Sequence, residues 1–343
     1  MLEKIEYVEK NGSALIYRCY GDGSLVELPS YLRGLPVREL ADHCFAGEAS
    51  FRYKKFQIKE IYREEWKQGE MEDVKKRKDG GEVSVWKDEF PALGGKGLQE
   101  IILPPTLEGI GDYAFYGCLD LKRLYFPSGL RRLGGGAFVA CNHIRQLFFA
   151  VEAGLETPYC MKDVLAELTY EVEVIWKDQN EHTAARFVYP EYYEESKENT
   201  PARIIEIIYH GTGYKFRQCF QGRSMDYHQY DALFYLASVQ EFVPTVVRMA
   251  IDRLETPVEL SEEARERYLA WLRKEYPAAA RWLFEEKRPE LFCMLGDYGY
   301  YTEQILNHFL ETASGHGDAQ TVSFLMDYRR SHFAVSKKKK YVL

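Results

Sequence analysis

Residues 107–127 read Leu107-Glu108-Gly109-Ile110-Gly111-Asp112-Tyr113-Ala114-Phe115-Tyr116-Gly117-Cys118-Leu119-Asp120-Leu121-Lys122-Arg123-Leu124-Tyr125-Phe126-Pro127. A shift of 23 positions lays Leu130, Leu133, Ala137, Phe138, Cys141, Ile144, Leu147 and Phe149 on Leu107, Ile110, Ala114, Phe115, Cys118, Leu121, Leu124 and Phe126. Going back by 23 from Leu121, Leu124 and Pro127 reaches Leu98, Ile101 and Pro104. Chance does not align this many positions in one register. A period of this length marks a coil that cannot bury its apolar side until the next coil stacks on it.

Within each coil, Leu121, Leu124 and Phe126 turn inward from a short strand, and Pro127 ends that strand at a turn. Ala114 beside Phe115 sets a small residue next to a ring that fills the interior. Cys118 and Cys141 then lie above one another as small buried residues, so their spacing reports the repeat and not metal ligation.

A degenerate earlier coil follows the turn signal Gly21-Asp22-Gly23. It runs from Leu25 through Leu28-Pro29 and Gly34-Leu35-Pro36-Val37 to Leu40, then Cys44-Phe45-Ala46-Gly47. With its Gly-Leu-Pro-Val variant and the later Ile-Gly-Asp-Tyr-Ala-Phe-Tyr-Gly-Cys, the chain resembles the BspA-like leucine-rich repeats over about residues 20–150. That resemblance implies a short solenoid of about four coils. One coil is interrupted, because Phe45 and Phe115 are 70 residues apart and no Ala-Phe pair lies between them. Residues 51–97 read as an insertion: charges of both signs crowd Lys59 to Lys78, and Gly80-Gly81 and Gly94-Gly95 flank Val83 to Trp86. A solvated helix or loop is expected there.

The fold class expected is α+β, with the solenoid in residues 1–150, a small α+β capping segment in 151–220 and an all-helical domain in 221–334. A helix is expected near 160–168. Strands follow where Tyr170, Val172, Val174 and Trp176 alternate, and at Ala184 to Tyr189 and Ile204 to Tyr209. An open solenoid end presents apolar surface and unpaired strand edges, so a cap is required. Beyond it, Asp226 can cap a helix from Tyr227 to Ala237, Ser261 one from Glu262 to Lys274, Thr302 one through Ala313, and Asp318 the last. Pro277 and Pro289 suit first helical turns. The final helix pair is similar to an ankyrin-type pair, without that family's tip motif. Lys337 to Lys340 form a basic tail in 335–343 that is expected to be solvated.

Composition narrows the function classes. With 46% hydrophobic and 29% charged residues, the 343-residue chain has material for a sizeable core. A net charge of −8 leaves no global field for a nucleic-acid backbone. No apolar run approaches the roughly 18 residues of a spanning helix. The charged start Glu3-Lys4-Ile5-Glu6 lacks the core of an export signal. Seven scattered cysteines fit reduced thiols, so a cytoplasmic location is expected.

No motif carries chemistry. Gly94-Gly95-Lys96-Gly97 lacks the spacing and the following hydroxyl of a phosphate loop. His316-Gly317-Asp318 reads as a turn and a cap. Tyr227, His228 and Asp231 could furnish an enzyme site at the solenoid–helical junction. The tyrosines Tyr189, Tyr192, Tyr193 and Tyr298, Tyr300, Tyr301 could furnish a carbohydrate platform. The leading expectation is a non-enzymatic protein-interaction module needing no cofactor, whose partner is another protein and not nucleic acid or membrane. Its surface would be the outward side of consecutive strands. Aligning Pro29, Pro104 and Pro127 puts Glu27, Ile102, Tyr125 and Phe148 in one outward column, and Leu25, Glu100, Arg123 and Gln146 in the next. Ile102, Tyr125 and Phe148, with Arg123 and Gln146, are the candidate binding residues. Three stacked outward apolar residues make a patch that a monomer covers or a partner does.

Overall fold

The computed structural model describes residues 2–47, 62–67, 70–73, 91–199 and 204–333. The chain divides into two compact units between Asp226 and Tyr227.

The first unit opens with the hairpin β1 (Leu2–Lys10) and β2 (Ser13–Gly21). The first coil contains β3 (Leu25–Glu27), β4 (Tyr31–Leu32) and β5 (Leu35–Leu40). From the insertion come β6 (Tyr62–Lys67) and β7 (Glu70–Asp73). The later coils supply β8 (Glu100–Ile102), β9 (Gly109–Ile110), β10 (Arg123–Phe126), β11 (Arg132–Leu133) and β12 (Gln146–Ala150). After the helix Met161–Ala166 come β13 (Val172–Lys177), β14 (Thr183–Tyr189), β15 (Tyr193–Asn199) and β16 (Ile204–His210).

Two sheets run along the solenoid. In one, β3, β8, β10, β12 and β13 are parallel, and β14 closes the row antiparallel to β13. The other has the order β11-β9-β5-β2-β1-β6-β7. Inward side chains of the parallel rows meet rung on rung, Val26 on Ile101, Leu124 and Leu147, with Phe126 on Phe149. The rings of Phe45, Phe115 and Phe138 stack down the interior at centroid distances of 5.2 and 5.4 Å, all fully or nearly fully buried. Phe45 therefore lies directly on Phe115. The 70-residue offset between them is one coil plus an insertion, and the coil stack continues across it.

The coils approach so closely that a Cβ at Gly111 would lie 2.5 Å from the Asp42 nitrogen, and one at Gly134 would lie 2.3 Å from that of Asp112. Only glycine fits at that repeat position. Cys141 and Cys118 donate their thiols to Phe115 O at 3.0 Å and Phe45 O at 3.2 Å. This is the structural role their spacing indicated.

Two departures from the sequence expectations occur in this unit. The N-terminal residues, not assigned an element from sequence, form a hairpin whose Asn11-Gly12 turn has φ values of 53° and 74°, the signature of a tight type I′ connection. In place of a solvated helix or loop, the insertion contributes a strand pair, with β6 antiparallel to β1, while its residues 91–93 lie against β2, where Leu93 N–H donates to Cys19 O at 2.8 Å. An open edge on β1 offers unpaired backbone groups that a strand satisfies and a solvated helix cannot. The remaining insertion features, Gly80-Gly81 and Val83 to Trp86, lie outside the described residues, as does the Lys337–Lys340 tail.

The second unit is helical. The helix expected from Tyr227 to Ala237 is instead two, Tyr227–Ala232 and Phe234–Gln240, broken at Leu233. Tyr227, Tyr230, Phe234 and Ala237 are all buried. Longer helices follow at Val243–Glu255, Glu262–Lys274, Tyr276–Glu286, Pro289–Asp297, Glu303–His316 and Ala319–His332. Ser261, Thr302 and Asp318 accept from the backbone of Ala264, Ile305 and Thr321, as their cap positions require. Gly317 ends its helix in the left-handed conformation at φ 70°.

Candidate functional site

The outward columns expected from the proline alignment form in that register. Glu27, Ile102, Tyr125, Phe148 and Ile175 are successive cross-strand neighbours, and so are Leu25, Glu100, Arg123, Gln146 and Glu173. A repeat of constant length carries each side chain to the same side of the next strand, so the columns follow from the 23-residue spacing.

The apolar column is half-buried at Ile102, Tyr125 and Phe148. The Tyr125 and Phe148 rings lie face to face, 4.2 Å between centroids and 4° between planes. The column changes character at its far end, where the buried Ile175 is followed across the strand pair by Arg186. Burial, and next the adjacent Glu100 carboxylate, push the Tyr125 phenol above its ordinary pKa.

The neighbouring column is polar and internally paired. Arg123 donates Nε to Glu100 at 2.6 Å. Gln146 donates to one Glu173 oxygen at 2.8 Å and Arg186 to the other at 2.9 Å. Charges on this face are thus largely neutralised by each other, leaving an aromatic stripe beside a polar rail.

The other candidates resolve differently. Asp231 is 3% exposed, with Arg253 Nε and Nη2 on its two oxygens at 2.8 and 2.9 Å and the Tyr268 hydroxyl on one at 2.7 Å. Burial, then the Asp231 charge, raise the Tyr268 phenol well above its ordinary range. That carboxylate fastens two helices to its own through three accepted hydrogen bonds. His228 is exposed on the same helix.

The tyrosine platforms are mostly core. Tyr189, Tyr192, Tyr300 and Tyr301 are buried, while Tyr193 lies open. Tyr298, Tyr300 and Tyr301 spend their hydroxyls on the carbonyls of Leu254, Leu272 and Phe292. Tyr189 and Tyr192 flank the buried Arg217 guanidinium, which donates to the carbonyls of Leu165, Pro190, Gly213 and Tyr170. Burial lowers the Arg217 pKa to about 10. Large rings with one polar tip suit interiors where a carbonyl is at hand, which is why composition alone suggested a platform.

A shallow depression of about 490 Å³ lies among Tyr31, Arg38, Thr106 and Arg131. Its polar groups are occupied: Arg38 pairs with Glu108, Thr106 donates to Val37 O, and Arg131 donates to Ser128 O. Among the described residues no group of His, Cys, Asp and Glu is placed to hold a metal ion. None of the described helices is long and apolar enough to cross a membrane.

Comparison with known families matches residues 92–157 to the BspA type Leucine rich repeat region (6 copies). Two solved structures are similar to this chain. One is a leucine rich cell surface protein from Faecalibacterium prausnitzii A2-165, 16% identical, TM-score 0.26, over 52% of this chain and 41% of that one. The other is a leucine rich repeat protein of T. pallidum, 20% identical, TM-score 0.18, over 45% of this chain and 75% of that one. The alignment thus spans less than half the length of the first. No curated protein matches the sequence. The repeat region suggests a protein-interaction or surface-binding module, a class that is typically non-enzymatic.

Proposed function

We propose that the chain is a non-enzymatic protein-binding module whose partner docks on the outward strand face, with Tyr125 and Phe148 as anchors, Ile102 extending the stripe, and Arg123 and Gln146 at its polar margin. The observation that carries this reading is the Tyr125–Phe148 stack, half-buried and outward on adjacent parallel strands. Stacked rings form a rigid apolar platform that loses little side-chain entropy when covered, and aromatic anchors of this kind often contribute 2 kcal/mol or more, on the order of ~2–4, to an interface.

Electrostatics favour a protein over a nucleic acid. Arg123 and Arg186 already face Glu100 and Glu173, so the face offers no row of unpaired cations for phosphates. Seven cysteines free of disulfides suit a reducing compartment, and we place the protein's action in the cytoplasm on that ground.

Affinity purification from the native cell, followed by mass spectrometry, tests the reading when the wild type is compared with Tyr125→Glu/Phe148→Glu. The expected result is loss of specific partners while the circular dichroism spectrum and unfolding midpoint stay near wild type. An unchanged partner set in a folded double variant would remove this face from consideration.

A further inference from the structure

Beyond the solenoid face, β15 and β16 form a separate two-stranded antiparallel ribbon with very different edges. Its base is tied on both faces. Tyr209 stacks on Tyr214 at 3.7 Å and tilts against Tyr192, while on the other side Tyr193 stacks on His210, which bonds Glu195 at 2.8 Å. Away from that base, Ile205 is 66% and Ile207 51% exposed, on the same face as Tyr209. A lone two-stranded ribbon is marginal in water, and further strands are what stabilise it.

The β15 edge carries Glu194, Glu195, Lys197 and Glu198. Charged side chains of that density are how sheet edges resist pairing. The β16 edge reads Ile204-Ile205-Glu206-Ile207-Ile208-Tyr209-His210, with one carboxylate, and among the described residues β16 pairs only with β15.

We propose that β16 is a self-association edge, at which a second copy of this chain adds its own β16 antiparallel to form a four-stranded sheet about a two-fold axis. Charge selects both the edge and the register. Pairing through β15 about Ser196 would set Glu194 against Glu198 twice around the axis, offset only where Glu195 meets Lys197. In a β16–β16 sheet, the acidic strands are outermost, three spacings or about 14 Å apart, beyond the screening length of about 8 Å in physiological salt. A register centred on Glu206 would oppose two carboxylates. A register centred on Ile207 instead places Ile207 on its own copy, Ile205 on Tyr209 and Glu206 on Ile208, with no like charges facing.

Sedimentation velocity of the full chain across a concentration series tests the proposal. A reversible monomer–dimer equilibrium is expected, and Ile207→Lys, which sets two ammonium groups across the axis, should raise its dissociation constant by about tenfold or more. Because Ile207 is half exposed, the folded state should tolerate the lysine, and a wild-type unfolding midpoint checks this. Geometry is tested separately in a Cys293→Ser background, Cys293 being the exposed thiol. Ile207→Cys should form a disulfide-linked dimer under mild oxidation, since directly opposed residues are within disulfide reach, whereas Ser196→Cys on β15 should not. A chain that stays monomeric at every concentration, a dimer indifferent to Ile207→Lys, or equal cross-linking through Ser196→Cys would each overturn the proposal.

Discussion

Arg18 and Glu167 close the two ends of one ladder of backbone hydrogen bonds. In each coil the N–H groups at the Tyr113 and Phe115 positions donate to carbonyls of the next coil. His43 and Phe45 donate to Asp112 O and Ala114 O, and Tyr113 and Phe115 to Gly135 O and Ala137 O. The ladder therefore ends in bare carbonyls on one side and bare N–H groups on the other. At the first end the buried Arg18 guanidinium donates to Cys44 O at 3.1 Å and to His43 O at 2.9 Å. At the last, the Glu167 carboxylate accepts from Gly136 N at 2.7 Å and Phe138 N at 3.0 Å. The sign of each charge matches the polarity of the backbone groups it meets.

Glu167→Ala should accordingly lower stability by about 2 kcal/mol, because two part-buried N–H groups lose a charged acceptor. Glu167→Gln keeps one amide oxygen and should cost less. Urea unfolding of the three proteins measures the order, and equal stabilities would show that water replaces the carboxylate without penalty.

These caps were beyond reach of the sequence, while the coils were not. The 23-residue spacing set strand register, the Phe115–Phe138 stack and the outward columns, because a fixed repeat makes every coil answer to its neighbour. Arg18 and Glu167 lie in non-repeating segments and act on residues about 26 and 30 positions away, so no periodicity announces them. The N-terminal hairpin did carry a local signal: Asn11-Gly12 sits between alternating apolar runs, the strongest short hairpin signature. The half-burial of the Tyr125 column also escaped a reading of side-chain direction alone, since exposure depends on what else reaches that face.

In the helical unit, Asp231→Ala should destabilise by about 3–5 kcal/mol, the scale for leaving one partner of a buried ion pair uncompensated. Arg253 has zero exposure and would keep its charge without a carboxylate. The double variant Asp231→Leu/Arg253→Met should lose less than the sum of the single changes. Calorimetric unfolding of the cycle measures this, and strictly additive losses would contradict the coupling.

Acid should weaken the last helix through its cap. The bonds that Thr321 donates, side chain first and backbone next, hold the Asp318 carboxyl below its ordinary pKa. A depressed folded-state value means that the stabilisation is complete above the unfolded value of about 3.9 and is lost as pH falls through the folded one. The stability difference between wild type and Asp318→Ala should therefore shrink on going from neutral pH to below about pH 4. A difference that stays constant through that window, followed by unfolding at fixed pH values, would show that the cap does not titrate.

The central claim is that a partner protein covers the Tyr125–Phe148 face, and site-specific photo-cross-linking in the native cell tests it most directly. A photoreactive phenylalanine analogue placed at Tyr125 or Phe148 should capture a common protein, and the same analogue at the exposed Tyr31, in the shallow depression, should not. Capture of that protein from Tyr31 alone, with none from Tyr125 or Phe148, would contradict the account.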